Sequence, residues 1–229
     1  MSAVGALLCS PVYYDIPAIE NPHMRIMSID KQLAMREHTD LINLLQMFGV
    51  SIRLMSPRIN GWDDVFTANI GWSHGDKAIL ANFHHPIRRP EQTHAAEWFE
   101  RLGFRAHEQL RFLPTEPRRV NYEGQGDTLM GGKGKCFVTH GIRTDKEAIY
   151  YIQDMLGPGE ELVDLELVNG YFYHGDTCLN TFKTFDLFIH YPGAFSEGAL
   201  RKIENLPLDL IELSPFLATC LAANSIYLR

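Results

Sequence analysis

Two short segments of the sequence place acidic side chains beside glycine and share the run Gly-Asp-Thr. The first, NYEGQGDTLM, carries Glu123 and Asp127, and the second, YFYHGDTCLN, carries His174 and Asp176. A carboxylate next to a histidine favours the imidazolium form, which general acid–base catalysis can use. Several carboxylates around one pocket suit a guanidinium, whose planar fork pairs with them bidentately. The four side chains therefore predict a pocket for a planar cation.

Each of these features also has a structural interpretation. Gly-Asp is a common turn sequence, and a lone histidine is more often a hydrogen-bonded structural residue. Extended backbone would place His174, Asp176 and Cys178 on one face of a strand. Cys178 lies close enough to His174 to be considered as a nucleophile, but free cysteines are mostly buried, so packing is favoured. Cys220 lies in an apolar helix-like run and is predicted to belong to the core.

The two segments belong to a repeat with a period of 54 residues. Three helical patterns, each ending on a glycine, recur at this spacing and predict a repeated supersecondary unit. They span residues 30–49, 91–103 and 144–157. A glycine just past a helix supplies the left-handed conformation of a C-cap, and Thr144 is predicted to cap the start of the third helix. A strand and then a hairpin with a polar or glycine-rich turn, such as SHGD or GGKG, follow each helix.

Polar residues occupy comparable positions after each helix, and in a ring of such units they would converge on the axis. They are Asn69, Glu123, Asp127, His174, Asp176 and Asn224. Small helix-backed sheets repeated at this period predict an α/β propeller. The alternative is a plain α/β sandwich in which the glycine spacing arises by chance. A fourth unit begins near residue 200, so we expect an incomplete last module with an open sheet edge. Either the chain is a fragment, or something else, such as a second copy of the chain, covers that edge.

Composition limits the class of protein. The 229 residues are 45% hydrophobic and 21% charged, which is typical of a globular chain, and we expect one domain spanning residues 1–229. The formal charge of −7 argues against nucleic-acid binding, which needs a basic face. No segment approaches the roughly 20 apolar residues of a membrane span. The four cysteines are widely spread and no export signal precedes them, so we expect reduced thiols in a cytoplasm.

The run FHHPIRRPE, residues 83–91, concentrates histidine and arginine. His84, His85 and the nearby His94 match no strong zinc spacing, so no metal site is predicted. Arg88 and Arg89 are candidate carboxylate binders, although arginines on loops are usually only solvated.

Five segments, in matching order along the chain, resemble the guanidino-group-modifying superfamily, which includes dimethylarginine dimethylaminohydrolase, arginine deiminase and arginine dihydrolase. They are NPHM (21–24), the run from 63 to 91, YEGQGDTL (122–129), FYHGDTCL (172–179) and AANSIYL (222–228). The likeness is greatest to the arginine dihydrolase domain. It implies a pentein-type propeller of five ββαβ modules, an active site on the axis, a small guanidino substrate such as arginine, and no metal or organic cofactor.

The resemblance also implies covalent catalysis, in which a cysteine thiolate attacks the guanidine carbon and water resolves the resulting thiouronium. By motif position, His174 is the histidine that transfers protons, and Glu123 and Asp127 are the catalytic carboxylates. The family's nucleophile follows a glycine-rich segment near the C-terminus. This chain ends before that segment, so we expect the nucleophile to be missing, with Cys178 as the alternative.

Five further positions are implied to bind substrate. Asp176 would lie close to the substrate nitrogens, and Arg88 would bind the α-carboxylate. Asn69 stands where deiminases carry an acidic residue, and asparagine there is similar to the dihydrolases. Asn21 and Asn224 would line the pocket. The interpretations left open are a hydrolase acting on arginine or dimethylarginine, an amidinotransferase, and a catalytically inactive arginine-binding module.

Overall fold

The structure, a computed structural model, describes residues 5–27, 29–104 and 109–226. Residues 227–229, where we expect the last module to break off, lie outside the described residues. The chain divides into two compact units, one ending at Thr67 and one beginning at Ala68. In the described part of the chain, no helix has the length and apolar character needed to cross a membrane.

The first unit contains one pair of parallel strands, β1 (Gly5–Cys9) and β2 (Ser51–Met55), connected through the helix α1 (Lys31–Met47). The helix begins where the Asp30 side chain accepts a hydrogen bond from a first-turn N–H, which would otherwise lack a partner. It ends before Gly49, whose φ of +77° is the left-handed conformation predicted for this C-cap.

The second unit repeats one arrangement three times: an antiparallel hairpin, a helix, and a third strand parallel to the second. The first module is β3 (Gly71–His74), β4 (Lys77–Leu80), α2 (Glu91–Arg101) and β5 (Leu110–Arg111). The second is β6 (Thr128–Met130), β7 (Lys135–His140), α3 (Ala148–Gln153) and β8 (Glu161–Glu166). The third is β9 (Leu179–Phe182), β10 (Leu187–His190), α4 (Glu197–Glu204) and β11 (Asp209–Glu212), followed by α5 (Pro215–Thr219). The repeated helix-backed sheets predicted from the glycine spacing are therefore present.

The third predicted helix differs from the sequence-based expectation at both ends. The N-cap of α3 is Glu147 rather than Thr144, because the Thr144 hydroxyl accepts from the Glu123 N–H at 3.2 Å and donates to Asp127 Oδ2 at 2.7 Å. The helix ends four residues before Gly157. Gly157 does not have a positive φ, whereas Gly159 has a φ of +83°. The Thr144 prediction is wrong because a buried carboxylate takes its hydroxyl, and the Gly157 prediction is wrong because the helix is too short to reach it.

Two buried apolar clusters hold the three modules of the second unit together. One includes Phe137, Leu165, Cys178, Leu179, Phe188 and Ile203, and the other includes Ile79, Tyr122, Cys136, Val138 and Ile152. Each fully buried isoleucine or phenylalanine contributes roughly 1.5–3 kcal/mol to stability. The loops that carry the polar residues are thus attached to rigid strand ends.

Cys220 does not belong to this core. It is exposed, whereas Cys9, Cys136 and Cys178 are buried. In the short helix α5 the buried residue is Ala218, and a residue two positions further along a helix points about 200° away from it. The prediction of a core position for Cys220 is therefore wrong.

Candidate active site

Two 3-10 turns, Gly124–Gly126 and Gly175–Thr177, carry the candidate side chains. Each turn lies immediately before the first strand of a module, β6 and β9 respectively. The backbone of Gly175–Thr177 is a 3-10 turn rather than extended, so the condition under which His174, Asp176 and Cys178 would share one strand face is not met. The two turns correspond with Glu123 and His174 as their N-caps, and the Gly-Asp-Thr run is shifted by two residues between them.

Asp127 is a buried carboxylate surrounded by hydrogen-bond donors. Its Oδ1 accepts hydrogen bonds from Thr139 Oγ1 at 2.6 Å and from the Gly175 N–H at 3.1 Å. Its Oδ2 accepts from Thr144 Oγ1 at 2.7 Å and lies 3.0 Å from His174 Nδ1. A buried charge needs such partners to offset its lost hydration. Asp127 consequently fixes both the histidine ring and the turn that follows it.

His174 lies between two carboxylates and is itself 3% exposed. Its Nδ1 is 3.0 Å from Asp127 Oδ2, and its Nε2 is 3.2 Å from Glu123 Oε2. Burial lowers the pKa of the ring, but the charges and hydrogen bonds of Asp127 and Glu123 outweigh it and raise the pKa to about 10. The ring is therefore an imidazolium at neutral pH and donates from both nitrogens.

Glu123 is completely buried and has cationic neighbours on several sides. Its Oε2 accepts a hydrogen bond from Arg143 Nη1 at 2.9 Å, and its Oε1 accepts one from the His84 N–H at 3.1 Å. Burial raises the pKa of Glu123, but the hydrogen bond to His174 and the charges of His174, Arg143 and Arg88 lower it to about 2. Glu123 is thus a carboxylate throughout the physiological pH range.

Arg143 is a site residue that the sequence analysis missed. It is buried in the loop after β7, and its Cζ lies 4.8 Å from the centre of the Tyr173 ring. Arg88 lies in the corresponding loop between the second strand and the helix of the preceding module. The repeat itself was therefore a signal that could have located Arg143, about one period after Arg88.

Arg88 is held by the first residue of α2. Its Nε and Nη2 donate to the two carboxylate oxygens of Glu91, each at 2.8 Å, and its Cζ lies 4.4 Å from the centre of the Phe83 ring. Its Nη1 donates to Asn69 Oδ1 at 3.2 Å and lies 4.0 Å from Glu123 Oε2. Most of the Arg88 charge is thus balanced inside the protein, and its binding of a substrate carboxylate stays a prediction.

Asn69 connects Arg88 to the turn that carries Glu123. It is buried, and its Nδ2 donates to the Glu123 backbone oxygen at 3.5 Å. A Cβ atom added to Gly126 would lie 2.6 Å from Asn69 Nδ2 and 3.3 Å from the His174 ring. Only glycine at this position lets both side chains approach the turn so closely.

Asp176 and Asn224 line a cavity of about 510 Å³. The other lining residues are Ala68, Trp72, Ser73, Gln125, Thr128, Leu129, Met130, Asn180, Thr181, Ala223, Ser225 and Ile226. The pKa of Asp176 is raised to about 6, mainly because the side chain is buried. The charge of His174 opposes this rise, the charge of Asp127 adds to it, and a hydrogen bond from Asn224 lowers the pKa again. Asp176 is therefore the acidic group of this cavity whose charge changes just below neutral pH.

Asn21 and Cys178 are not among the residues that line this cavity, and neither are Glu123, Asp127 and His174. Asn21 belongs to the first unit, where its Oδ1 accepts a hydrogen bond from the His23 N–H at 3.0 Å. Cys178 is buried in the core, its Sγ is 3.4 Å from the Gly175 carbonyl oxygen, and burial raises its pKa well above the ordinary value. A thiol in such surroundings is a poor nucleophile. Of the described residues that line the cavity, none is a cysteine.

The mixed α/β fold and the buried His174 between two carboxylates are features that the resemblance to the guanidino-group-modifying superfamily implies. Residues 17–190 match the model of the family described as N,N dimethylarginine dimethylhydrolase, eukaryotic. The chain belongs to this N,N-dimethylarginine dimethylhydrolase family.

Similar proteins act on arginine or its dimethylated form. The bifunctional arginine dihydrolase/ornithine cyclodeaminase AgrE of Nostoc is 32% identical over 207 residues, which are 89% of this chain and 28% of AgrE. The N(G),N(G)-dimethylarginine dimethylaminohydrolase of Mycobacterium tuberculosis is 35% identical over 203 residues, which are 88% of this chain and 63% of that protein. The chain thus spans less than two thirds of the length of either relative.

A solved structure is similar over nearly all of this chain. It is the N-terminal domain of ArgZ, an arginine dihydrolase/ornithine cyclodeaminase of Synechocystis, covalently bound to a reaction intermediate. The TM-score is 0.88 at 27% identity, with 98% of this chain and 80% of that domain covered.

Proposed function

We propose that this chain binds arginine or a close derivative by its guanidino group and forms the binding and proton-transfer part of a guanidino hydrolase. The overall reaction would convert arginine to citrulline or ornithine plus ammonia, or dimethylarginine to citrulline plus dimethylamine. Family membership supports this proposal, as does the covalent intermediate seen in the ArgZ domain. The observation that carries it is the His174 ring held between Glu123 and Asp127.

Proton transfer is the role proposed for His174. In the covalent route, a thiolate attacks the guanidine carbon and the amine leaves. His174 enters as imidazolium and donates a proton to the departing nitrogen, so the amine leaves neutral. The neutral ring then takes one proton from the water that attacks the thiouronium. The carbon–sulfur bond breaks, which restores the thiolate, and the second proton of the water passes to solvent as the urea carbonyl forms. Asp127 holds the ring in place through both half-reactions.

Binding of the guanidino group is proposed for Glu123, Asp176 and Asn69. Glu123 and Asp176 supply carboxylate oxygens to a planar cation, and Asn69 supplies an amide oxygen beside them. The buried charges of Glu123 and Asp127 are offset by His174 and Arg143, so Asp176 decides whether the pocket attracts a cation. Asn224, whose Nδ2 donates to the Asp176 backbone oxygen at 3.3 Å, would hold the turn that carries that carboxylate.

The α-carboxylate of the ligand needs a cationic partner, and we propose that Arg88 binds it. Support comes from its position beside Asn69, one end of the proposed guanidino subsite. We extend the proposal to Asn21 as a pocket residue. We also propose that residues 1–229 form one domain, a five-module propeller, and that the protein acts in the cytoplasm without a metal or organic cofactor. Free thiols at all four cysteines support that location.

Arginine binding without turnover is a second candidate function. The buried position and raised pKa of Cys178 favour it, because no other cysteine lies in either Gly-Asp-Thr segment. It shares the binding residues above and differs from the hydrolase only in the absence of product. Under this alternative, arginine binds and is recovered unchanged.

Calorimetry with arginine, together with an assay for released ammonia, tests both candidates. We expect a saturable heat of binding for the chain and at least a tenfold weaker affinity for Asp176→Asn, because a charge-assisted pairing is lost. Asp209→Asn, at the exposed start of β11, is the charge-matched control and should bind like the unmodified chain. Ammonia release identifies the hydrolase, and binding without it identifies the arginine-binding module. A folded chain with no heat of binding would contradict both.

A further inference from the structure

Two arginines near the site, Arg89 and Arg119, are anchored by neutral oxygen atoms. Arg89 Nη2 donates to the His84 carbonyl oxygen at 3.3 Å, and Arg119 Nη1 donates to Asn82 Oδ1. Within the described ranges, neither guanidinium lies within ion-pair distance of a carboxylate. Their charges are therefore left without a direct counter-charge from those parts of the protein.

The two guanidinium groups are anchored on one short segment of the chain. The anchoring residues, Asn82 and His84, are separated by one position. The effect on Arg119 agrees with this proximity. Burial lowers the pKa of Arg119, the charge of Arg89 lowers it further, and Glu116 raises it. Arg119 nevertheless stays protonated at neutral pH.

The anchor of Arg119 is rigid. Asn82 is 1% exposed, and its backbone pairs with Tyr122 in an isolated bridge. Its Nδ2 donates to the Pro114 carbonyl oxygen at 3.0 Å and to the Val120 carbonyl oxygen at 2.8 Å. These two hydrogen bonds hold the loop that carries Arg119. The Arg119 side chain therefore loses little further conformational freedom when a ligand binds.

Two charged residues close to Arg119 in the chain, Arg118 and Glu116, do not neutralise it by an ion pair. Arg118, the adjacent residue, is paired with Glu147, with Nη2 3.0 Å from Oε1. Glu116 acts on Arg119 electrostatically but forms no ion pair with it among the described residues. Positive charge thus exceeds negative charge around Arg89 and Arg119, although the net charge of the chain is −7. Such a small cationic spot suits a compact anion rather than a nucleic acid.

The geometry points to a subsite for a small oxyanion, a phosphate or carboxylate group, bound between the guanidinium groups of Arg89 and Arg119. Each planar guanidinium fork matches two oxygens of such a group. The subsite is distinct from the guanidino pocket but shares its 82–84 segment, in which the His84 N–H donates to Glu123. It does not depend on the proposed hydrolase function.

Inorganic phosphate and citrate, titrated separately into the full chain at constant ionic strength with chloride as the balancing anion, test this subsite. The readouts are the thermal midpoint and the Nε–H resonances of the arginine side chains. We expect saturable binding in the millimolar range and perturbed resonances of Arg89 and Arg119. Phosphate tests for binding of a phosphate group, and citrate tests for binding of a carboxylate group. Binding of either anion that is lost in Arg89→Gln supports the subsite.

Charge-changing variants give the decisive comparison. Arg89→Gln and Arg119→Gln should each weaken anion binding at least about tenfold, because each removes a charge-assisted hydrogen bond. Arg118→Gln makes the same change in net charge one position away and should alter binding less than about twofold, because its charge is already paired. Glu116→Gln should tighten binding about threefold by removing a repulsive charge. Equal effects of Arg89→Gln and Arg118→Gln, or equal stabilisation by chloride, would overturn the inference. Arg89 is exposed, so its variant tests the subsite even if Arg119→Gln does not fold.

Discussion

Replacing Glu123 by glutamine should return the pKa of His174 towards neutrality. The His174 Nε2 to Glu123 Oε2 distance is 3.2 Å. At that separation and an effective dielectric constant of about 20, two unit charges interact by about 5 kcal/mol, equivalent to about 4 pKa units. The amide keeps part of the hydrogen bond and Asp127 keeps its charge, so we expect a fall of roughly 2–4 units. From the starting value of about 10, the ring then titrates between about pH 6 and pH 8.

Stability should change with pH in a corresponding way. A histidine whose pKa is raised on folding stabilises the protein below its unfolded pKa and loses that contribution as pH rises through the folded value. In the unmodified chain this loss occurs towards pH 10, whereas in Glu123→Gln it occurs near neutrality. Glu123 itself has a lowered pKa of about 2, so its contribution is present above its unfolded pKa and is lost only in strong acid.

Nuclear magnetic resonance of the imidazole nitrogens measures the titration, and urea unfolding between pH 5 and pH 10 measures the stability. Glu204→Gln, on the exposed side of α4, is the control for a lost glutamate charge and should leave the His174 titration unchanged. If His174 in the unmodified chain titrates near its ordinary value, or does not move in Glu123→Gln, the electrostatic reasoning is refuted.

Three further predictions concern binding and stability. Arginine affinity should decrease as pH falls below about 6, because protonation of Asp176, whose raised pKa is about 6, removes the negative charge of the cavity wall; calorimetry at several pH values measures it. Gly126→Ala should weaken arginine binding at least about fivefold, because the added Cβ would lie 2.6 Å from Asn69 Nδ2. Thr139→Val should lower the free energy of unfolding by about 1–3 kcal/mol, because Asp127 Oδ1 loses a buried hydrogen bond, and urea denaturation measures it.

Controls for these predictions come from positions with the same chemistry and no role in the site. Gly170→Ala places its Cβ in open space and should leave binding unchanged. Thr219 is exposed, so Thr219→Val should cost much less stability than Thr139→Val. Binding that is constant from pH 7 to pH 5 would exclude Asp176 as the titrating group, and equal effects of either matched pair would exclude the proposed contacts.

The repeated modules could be predicted from the sequence because local signals mark them. Glycine after a helix and polar turns between strands depend on neighbouring residues alone, and Gly49 and Gly103 take the expected left-handed conformation. The start of the third helix escaped prediction because a distant residue decides it. The Thr144 hydroxyl binds Asp127, a contact that no local pattern contains.

The candidate site was predictable to the extent that the repeat brings equivalent loops together. Asn69, Glu123, Asp127 and His174 form one connected network, as convergence of the turns implies. Arg143 was missed because its loop sequence resembles an ordinary solvated turn. Its contact with Glu123 appears only when the turn before β6 and the loop after β7 are folded together.

Binding of methylguanidinium, followed through the imidazole resonances of His174, tests the central claim most directly. This ligand has the guanidino group and lacks the carboxylate, so it reports on the proposed guanidino subsite alone. We predict saturable shifts of the His174 resonances, reversed by competition with arginine and absent with tetramethylammonium, which has the charge without the planar hydrogen-bond donors. A folded chain whose His174 resonances stay unchanged at saturating methylguanidinium would contradict the account.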